Sequence, residues 1–389
     1  MSADGGPVSS GKHGQLRLVI NGLHAKSGGG VTYLRNIIPE LAEMPHLELH
    51  LFLHRDQFEL FYPVSEKAHV TLFNFRPTFL RTLLWEQLSI PLIAWGMGAD
   101  VVFSPANYGP VFARNHVILL RNAVSVIQLT AKIGPLLYWL ALSGATFVSL
   151  LTAKRAIAVS NYAKKLLSFR FSAYLGKKIR VVYHGVHRLK PDKIHSPKPA
   201  MNLLAVSDIY IQKNYHTLLR ALAILIKNRP ELRLDIAGRE IDRAYAQSLR
   251  TLMRELGIEG NVTFRGHVDT DELMELYQGC EVFVFPSTVE TFGNPLLEAM
   301  AAGAPIACSN KAAMPEVLGD TGMFFDPDDK NNMADTIEKL LSDDRLRLKL
   351  GEKARKRACS FSWKASAQQT YSVLKEAAEP RPETARRVR

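Results

Sequence analysis

Short, almost continuously apolar runs alternate with amphipathic segments along the whole chain. Strands are predicted at 16–20, 47–53, 100–105, 116–120, 156–160, 179–183, 202–206, 232–236, 262–264, 282–285 and 305–308, and polar residues interrupt the apolar ones at 47–53 and 232–236. Helices are predicted at 31–38, 79–95, 215–227, 331–341 and 345–358. Fully apolar strands are typical of parallel sheets, which are covered by helices on both faces. The pattern therefore predicts an α/β protein built on parallel sheets.

The length and the apolar content of the chain predict two domains. It has 389 residues, of which 47% are hydrophobic, so each half can build its own core. The segment 188–200 places three prolines among charged residues, which is the composition of a linker. We therefore predict a first domain at 16–187 and a second at 201–360. The polar ends at 1–15 and 380–389 are predicted to be disordered.

One strand–loop–helix passage in the second half has the composition of a ligand site. The apolar run 282–285 leads into a loop, after which Asn294 is a good helix N-cap and Pro295 a good first helical residue. This places Glu298 in the first turn, near free backbone N–H groups and the positive end of the helix dipole.

A second carboxylate, Glu290, lies in the loop before that helix. Between the two acids, Phe292-Gly293-Asn294 lets the backbone approach a ligand closely, because glycine has no side chain. Carboxylates accept hydrogen bonds from hydroxyl groups, and helix N-termini hold phosphates. A ligand with both sugar hydroxyls and phosphate would fit this arrangement. The alternative is a strand–loop–helix without a ligand, in which Glu298 only complements the dipole.

A glycine run in the first half has a similar setting. Gly28, Gly29 and Gly30 stand between the strand at 16–20 and the helix at 31–38. A strand, a glycine loop and a helix N-terminus make a phosphate-binding geometry. A plain flexible turn is the alternative.

Basic residues are concentrated in one window of a chain whose formal net charge is +12. Residues 151–200 contain twelve Lys or Arg and a single acid, Asp192. This surplus predicts an anionic surface nearby, either nucleic acid or the headgroup layer of a membrane. The chain contains no zinc spacing and no RNP-like aromatic motif, so we predict no nucleic-acid partner.

An uncharged stretch of nineteen residues, 133–151, directly precedes the basic window. A helix buried in the first domain is one interpretation. The other is an in-plane membrane helix whose large apolar side chains dip into lipid, with the basic window against the headgroups. The apolar set is Leu136, Leu137, Tyr138, Trp139, Leu140 and Phe147. The basic set is Lys154, Arg155, Lys164, Lys165, Arg170, Lys177, Lys178 and Arg180.

The second half resembles the retaining glycosyltransferases of family 4. The resemblance rests on Glu290 and Glu298, with Phe-Gly after the first and Ala-Met-Ala-Ala-Gly-Ala-Pro after the second. It extends from about Leu203 to Leu341. These enzymes have the GT-B fold, in which two Rossmann-like, doubly wound domains face each other across a cleft. The resemblance implies that fold here, with a last helix at 361–379 that returns to the first domain.

The resemblance also assigns roles to the two acids and to the loop between them. In the family, the first acid approaches the hydroxyls of the donor sugar and the second binds the nucleotide ribose. These roles fall to Glu290 and Glu298. The backbone of Phe292, Gly293 and Asn294 would hold sugar and phosphate.

Further donor contacts are implied elsewhere in both halves. Lys213 matches a lysine that neutralises the donor diphosphate. Gly29 and Gly30 would face the diphosphate and the acceptor across the cleft. Gly266 and His267 would lie near the nucleotide base.

Two positions depart from the family pattern. Where the family has an arginine beside the diphosphate, this chain has Asp208, and we expect Arg239 to take over the missing charge. Where many members have a histidine facing the reacting sugar, this chain has Arg121 and Asn122. Either residue is a candidate for the acceptor side of the site, and the alternative is a structural role at the end of the strand.

The resemblance predicts the transfer of a sugar from a nucleotide diphosphate sugar to an acceptor hydroxyl, with retention of the anomeric configuration. No cofactor and no metal are expected, and Asp326-Pro327-Asp328 is interpreted as a turn. The expected acceptor is a lipid-linked saccharide in lipopolysaccharide, capsule or exopolysaccharide synthesis. The alternatives are a catalytically inactive nucleotide-sugar or membrane-binding protein, and a GT-B epimerase or phosphorylase.

The expected location is the cytoplasmic face of the inner membrane, with peripheral attachment. The three cysteines form no disulfide framework, which suits a reducing cytosol. The polar first fifteen residues do not have the pattern of a signal peptide.

Overall fold

The computed structural model describes residues 14–26, 28–75, 78–121, 133–168, 172–187 and 202–379. The predicted linker 188–200, the tail 380–389, most of 1–15 and the candidate site residue Asn122 lie outside the described residues.

The sheet of the first half consists, within the described residues, of seven parallel strands. They are β1 (Leu16–Asn21), β2 (Leu47–His54), β3 (Ala68–Phe73), β4 (Val101–Ser104), β5 (His116–Leu120), β6 (Arg155–Ala158) and β7 (Ile179–Val181). Their spatial order is β3-β2-β1-β4-β5-β6-β7. The order reverses between β1 and β4, so the loops that follow these strands diverge and leave a crevice at their carboxyl ends.

The helices of the first half connect these strands. They are α1 (Gly28–Ala42), α2 (Phe79–Leu84), α3 (Ile90–Gly96), α4 (Ile133–Thr152), α5 (Asn161–Leu167) and α6 (Ser172–Leu175). A π-helical turn, Trp85–Ser89, joins α2 to α3.

The sheet of the second half has six parallel strands among the described residues. They are β8 (Asn202–Val206), β9 (Arg233–Ala237), β10 (Val262–Gly266), β11 (Val282–Phe285), β12 (Ile306–Ser309) and β13 (Met323–Phe325). Their order is β10-β9-β8-β11-β12-β13, so the reversal that creates a crevice lies between β8 and β11.

Helices again separate the strands of the second half. They are α7 (Tyr215–Leu225), α8 (Arg243–Leu256), α9 (Thr270–Gly279), α10 (Asn294–Ala302), α11 (Met314–Leu318), α12 (Lys330–Leu341), α13 (Asp344–Ala358) and α14 (Trp363–Ala378). The last of these contacts the first half. The Tyr371 hydroxyl donates to the Pro45 carbonyl at 3.0 Å, and Glu376 accepts hydrogen bonds from Arg155 and Arg180.

The predicted α/β architecture with parallel sheets is confirmed, and two strands were missed. β3 is an edge strand in which only Phe73 is buried and His69 and Thr71 interrupt the apolar residues, so it lacks a continuous apolar run. β13 has only three residues, too few to produce a pattern. The predicted helix at 79–95 is real but contains the π-helical turn, which the spacing of its apolar residues does not reveal.

One hydrophobic cluster runs through both halves near the two crevices. It includes Tyr33 on α1 and Phe103 on β4 from the first half, and Phe292 from the second. Trp363, at the start of α14, belongs to the same cluster, and its ring centroid lies 6.0 Å from that of Tyr33. The two sheets therefore share core residues where their crevices meet.

A carboxylate from the second half binds the N-terminus of a helix in the first. Glu316, on α11, accepts hydrogen bonds from the backbone N–H groups of Asn161 and Tyr162 at 2.7 and 3.1 Å. These are the first residues of α5, where backbone N–H groups have no partner inside the helix. Glu316 also accepts a hydrogen bond from the Tyr183 hydroxyl at 2.9 Å. The pKa of Tyr183 is raised to about 12, mainly because the hydroxyl is buried and also because Glu316 lies next to it.

Replacement of this carboxylate tests its contribution to stability. We expect Glu316→Ala to lower the free energy of unfolding by about 1–3 kcal/mol, because several donors at the domain contact lose their acceptor. Urea unfolding followed by circular dichroism measures the change. Glu255→Ala, at an exposed position on α8, is the matched control. Equal unfolding midpoints for Glu316→Ala and the wild type would show that the contact contributes nothing.

Candidate active site

The loop between β11 and α10 is shaped by one glycine. Gly293 has φ +90°, and a Cβ atom at this position would lie 3.2 Å from the Phe285 ring. Only glycine adopts this conformation without strain. In the described structure, the N–H groups of Phe292, Gly293 and Asn294 make no hydrogen bond. They are available to a ligand, as the prediction for this backbone requires.

The start of α10 differs from the prediction by one residue. The N-cap is Gly293, and Asn294 is the first helical residue, so the prediction of Asn294 as the cap was wrong. Its side chain has another partner, because Oδ1 accepts a hydrogen bond from Nδ1 of His184 at 2.8 Å. Glu298 is then the fifth residue of the helix and lies in its second turn, not in its first.

Glu290 forms an ion pair with Lys213. Nζ of Lys213 lies 2.5 Å from Oε1 of Glu290, and the two side chains are only 16% and 17% exposed. Glu290 belongs to the loop after β11, and Lys213 to the loop after β8. These strands are the neighbours at which the sheet order reverses, so the pair lies at the crevice where ligands bind in such sheets.

Asn214 positions the lysine, and sequence reasoning missed its role. It has φ +58°, a conformation that asparagine tolerates better than most residues. Its Nδ2 donates to the carbonyl groups of Pro286 and Pro327 at 3.2 and 2.8 Å. The loop that carries Lys213 is thereby fixed to the carboxyl ends of β11 and β13. An asparagine directly before a helix was the available signal.

Arg239 is paired with the acid that replaces the family arginine. Its Nη2 lies 2.9 Å from Oδ2 of Asp208, and its backbone N–H and Nε both donate to Oδ1. Burial alone would raise the pKa of the Asp208 carboxyl, but the hydrogen bonds from Arg239 outweigh it and hold that pKa below its usual range. The positive charge of Arg239 is therefore largely offset within the protein.

Gly266 and His267 lie at the carboxyl end of β10, on the edge of the sheet. The Gly266 carbonyl accepts a hydrogen bond from the Gly238 N–H at 2.7 Å, next to Arg239 in sequence. His267 is exposed, and no contact is recorded for its side chain within the described residues. Gly266 is therefore hydrogen-bonded to the residue that precedes Arg239, whereas the His267 side chain is exposed at the end of β10.

Glu298 packs against Tyr277 of α9. Its Oε2 accepts a hydrogen bond from the Tyr277 hydroxyl at 3.2 Å. Burial raises the pKa of the Glu298 carboxyl, and the hydrogen bond from Tyr277 counteracts this only in part. No direct contact joins Glu298 to Glu290 or Lys213 in the described structure.

Gly29, Gly30 and Arg121 come together on the first-domain side. The glycines form the first turn of α1, and Arg121 directly follows β5. A Cβ atom at Gly30 would lie 2.5 Å from Nη2 of Arg121, so the guanidinium occupies the space that a side chain there would need. The Thr291 hydroxyl donates to the Arg121 carbonyl at 2.5 Å, which joins this group to the Glu290 loop.

A buried polar cluster beside the first crevice was also missed by sequence reasoning. Glu86, in the π-helical turn, is fully buried and accepts a hydrogen bond from Nδ2 of Asn21 at 2.9 Å. Its other oxygen lies 2.9 Å from Nε2 of His24, whose Nδ1 is 3.2 Å from the Tyr108 hydroxyl. Its residues come from three separate segments, around 21–24, 86 and 108, and belong to no recognisable motif.

Much of the basic window is engaged by the protein itself. Arg155 and Arg180 share the carboxylate of Glu376, and Nζ of Lys178 donates to the Leu151 and Ala153 carbonyls. Lys165 and Lys177 are exposed. Arg170 lies outside the described residues. The window therefore presents less free positive charge than its composition predicts.

Two further observations concern metal ligands and helix length. Oδ1 of Asp326 accepts a hydrogen bond from the Asp328 N–H at 3.1 Å, which is the contact of a turn. Within the described ranges, no three His, Cys, Asp or Glu side chains are grouped as metal ligands. Among the described helices, none combines the length and the apolar content needed to cross a bilayer.

Comparison with known proteins finds similarity in the second half of the chain. Residues 188–357 match the family model of the glycosyl transferases group 1. A D-inositol 3-phosphate glycosyltransferase of Corynebacterium jeikeium is 33% identical over 175 residues, which are 42% of this chain and 41% of that protein. An O-antigen chain mannosyltransferase B of Escherichia coli is 34% identical over 166 residues, 42% and 43% of the two chains. This chain thus spans about two fifths of the length of these curated relatives.

The fold comparison covers nearly the whole chain. The crystal structure of Anabaena HepE in complex with UDP-glucose superposes with a TM-score of 0.74 at 18% identity, over 93% of this chain and 100% of that one. The two facing parallel sheets are those of the GT-B fold, and that prediction is confirmed. The C-terminal half is similar to the glycosyl transferases group 1.

His184 gives the site region a pH-dependent stability. Burial lowers the pKa of its imidazole from 6.5 to about 4, although the hydrogen bond with Asn294 acts in the opposite direction. Because the unfolded chain then binds the extra proton more readily, stability falls as the pH is lowered from 6.5 to 4. The full loss amounts to about 3 kcal/mol.

We expect His184→Gln to remove this part of the pH dependence. The measurement is the urea midpoint at intervals between pH 7 and pH 4 for both proteins. His267→Gln, which changes an exposed histidine, should retain the wild-type profile. Parallel curves for His184→Gln and the wild type would contradict the assignment.

Proposed function

We propose that the protein transfers a sugar from a nucleotide diphosphate sugar to an acceptor hydroxyl, with retention and without a metal ion. The Lys213–Glu290 pair carries the proposal, because it lies in the crevice beside the open N–H groups at the start of α10. The match of the second half to the glycosyl transferases group 1 supports the same reaction.

The chemistry requires that negative charge be stabilised as the sugar leaves the diphosphate. Lys213 and the N–H groups of residues 292–294 are suited to this, because preorganised donors in a crevice need no rearrangement as the charge grows. Glu290 accepts hydrogen bonds from the sugar hydroxyls and holds the ring in a reactive orientation. Glu298, half-buried against Tyr277, binds the ribose hydroxyls. The first domain closes the cleft and excludes water, which would otherwise hydrolyse the donor.

The acceptor in this proposal is a lipid-linked saccharide in the synthesis of a bacterial surface polysaccharide. The relative from Escherichia coli acts on O-antigen chains, as its name states, which favours this class of acceptor. An acceptor held in a membrane also requires the enzyme to approach a lipid surface, and the first domain has features suited to that.

Exposed apolar side chains follow one another on successive turns of α2, the π-helical turn and α3. They are Leu84, Leu88, Leu92 and Trp95, with Leu92 and Trp95 exposed by 67% and 79%. Single exposed apolar residues are ordinary, but a row of four marks an interaction surface. On α4, Leu140, Val148 and Leu151 are also exposed. Lys165 and Lys177 add positive charge to the same domain, so we propose peripheral attachment to an anionic membrane.

Replacement of Glu290 separates catalysis from binding. We expect Glu290→Gln to lower the turnover of nucleotide sugar by about 100-fold, because the sugar loses its orienting contact. Affinity for the nucleoside diphosphate should be kept or increased, because Lys213 loses its competing carboxylate. A thermal-shift panel of UDP- and GDP-sugars selects the donor, and nucleoside diphosphate release with a lipid-linked saccharide measures turnover.

Two variants complete that experiment. Lys213→Met should weaken nucleoside diphosphate binding, whereas Glu255→Gln on the exposed face of α8 should behave as the wild type. Wild-type turnover in Glu290→Gln would contradict the assigned role. If no UDP- or GDP-sugar shifts the unfolding temperature, the proposed function itself is wrong.

The membrane surface is tested with vesicles. We expect the double variant Leu92→Ser and Trp95→Ser to lose roughly 100-fold in affinity for vesicles of phosphatidylethanolamine and phosphatidylglycerol, because two large apolar groups no longer enter the lipid. Co-sedimentation measures binding, and phosphatidylcholine vesicles show the contribution of lipid charge. Leu348→Ser, which changes an exposed leucine on α13, is the control. Unchanged sedimentation of the double variant would rule out this surface.

A further inference from the structure

The cations on the second-domain side of the crevice are already paired. Lys213 lies 2.5 Å from Glu290, and Arg239 lies 2.9 Å from Asp208. The four side chains together contribute no net charge. A nucleotide diphosphate is an anion, so these pairs alone do not neutralise it.

A cation that has no carboxylate partner among the described residues lies on the opposite side of the cleft. Nε of Arg121 donates to the Pro105 carbonyl at 2.9 Å, and its backbone N–H donates to Oδ1 of Asn107 at 2.9 Å. Nη1 and Nη2 have neither a hydrogen-bond acceptor nor a carboxylate partner among the described residues. Burial lowers the pKa of the Arg121 guanidinium, and the Tyr33 and Tyr108 hydroxyls offset this only in part.

The same guanidinium lies at the N-terminus of α1. Nη2 comes within 2.5 Å, and Nη1 within 3.0 Å, of the place that a Cβ atom would take at Gly30. Gly30 belongs to the first turn, where the helix dipole is positive and backbone N–H groups have no partner in the helix. A cation at this end of a helix is repelled by the dipole. An oxyanion that accepts hydrogen bonds from both the guanidinium and the N–H groups of the first turn would offset this repulsion.

The backbone of Arg121 faces the donor loop of the second domain. Its carbonyl accepts the hydroxyl of Thr291 at 2.5 Å, and Thr291 lies between Glu290 and Phe292 in sequence. An anion bound by Arg121 and α1 would therefore lie beside the acid that orients the sugar.

We propose that Arg121 binds the β-phosphate of the donor diphosphate, next to the first turn of α1, which the family resemblance already implies to face the diphosphate. The first domain thereby supplies the positive charge that Asp208 withdraws from the second. This inference rests on the proposed function and adds a donor-binding residue to it. The sequence predicted that Arg121 contacts the acceptor, whereas this proposal has it contact the leaving diphosphate.

A comparison of diphosphates with monophosphates tests the proposal. We expect Arg121→Gln to weaken UDP or GDP binding by about 10- to 100-fold, because two charge-assisted hydrogen bonds are lost. UMP and GMP lack the β-phosphate, so their affinities should change by less than about twofold. Isothermal titration calorimetry of the full chain measures all four nucleotides. Arg121→Lys keeps the positive charge but loses the paired N–H donors of the guanidinium. Its affinity for UDP or GDP should lie between those of Arg121→Gln and the wild type.

Two further variants separate binding from folding. Arg114 is exposed and precedes β5, the strand that Arg121 follows, so Arg114→Gln should bind diphosphates as the wild type does. Gly30→Ala should push the guanidinium aside and weaken diphosphate binding. Its unfolding temperature should not fall, because alanine favours the helix more than glycine does.

Three outcomes would overturn the proposal. The first is wild-type affinity of Arg121→Gln for UDP and GDP. The second is a loss confined to UDP-glucuronate, with UDP and UDP-glucose unaffected, which would assign the guanidinium to a carboxylate on the sugar. The third is a wild-type protein that binds neither UDP nor GDP. Because this last result concerns the unmodified chain, it marks failure of the proposed function and not of Arg121 alone.

Discussion

Thr291 fixes the site loop of the second domain to the first. Its hydroxyl donates to the Arg121 carbonyl, and its own carbonyl accepts the Ser160 hydroxyl, each at 2.5 Å. Ser160 is also the N-cap of α5, so its oxygen accepts the Ala163 N–H as well. Buried polar groups are costly unless they are paired. The conformation of the Glu290 loop therefore depends on contact with the first domain, and the site is complete only when the two domains meet.

The charges of the cleft follow from this arrangement. Asp208 does not simply remove a positive charge from the second domain, because it also holds Arg239 by three hydrogen bonds. Lys213 is in turn held by Glu290. In each pair, the carboxylate holds the cation in place and offsets most of its positive charge. An incoming anion is then attracted to Arg121 on the far side of the cleft, which has no carboxylate partner among the described residues.

The surface of the first domain illustrates a limit of composition. The uncharged stretch 133–151 stands out in the sequence, yet Leu142, Thr146, Ser149 and Leu150 on this helix are buried. The apolar row on α2 and α3 looks like an ordinary amphipathic helix, yet Leu92 and Trp95 face solvent. The sequence shows which face of a helix is apolar, but whether that face is buried depends on which other elements pack against it.

The sequence by itself determined the features that neighbouring residues encode. Continuous apolar runs established the parallel strands, and the glycines at 29, 30 and 293 marked the points of close backbone approach. The spacing of Glu290 and Glu298 indicated the site. Tertiary structure decided which groups face one another: Lys213 and Glu290 are 77 positions apart, and His184 and Asn294 are 110. The helix cap is Gly293 and not Asn294, whose side chain binds the distant His184 instead. Local backbone preference acts over a few residues, whereas the pairing of charges is settled only when distant segments pack together.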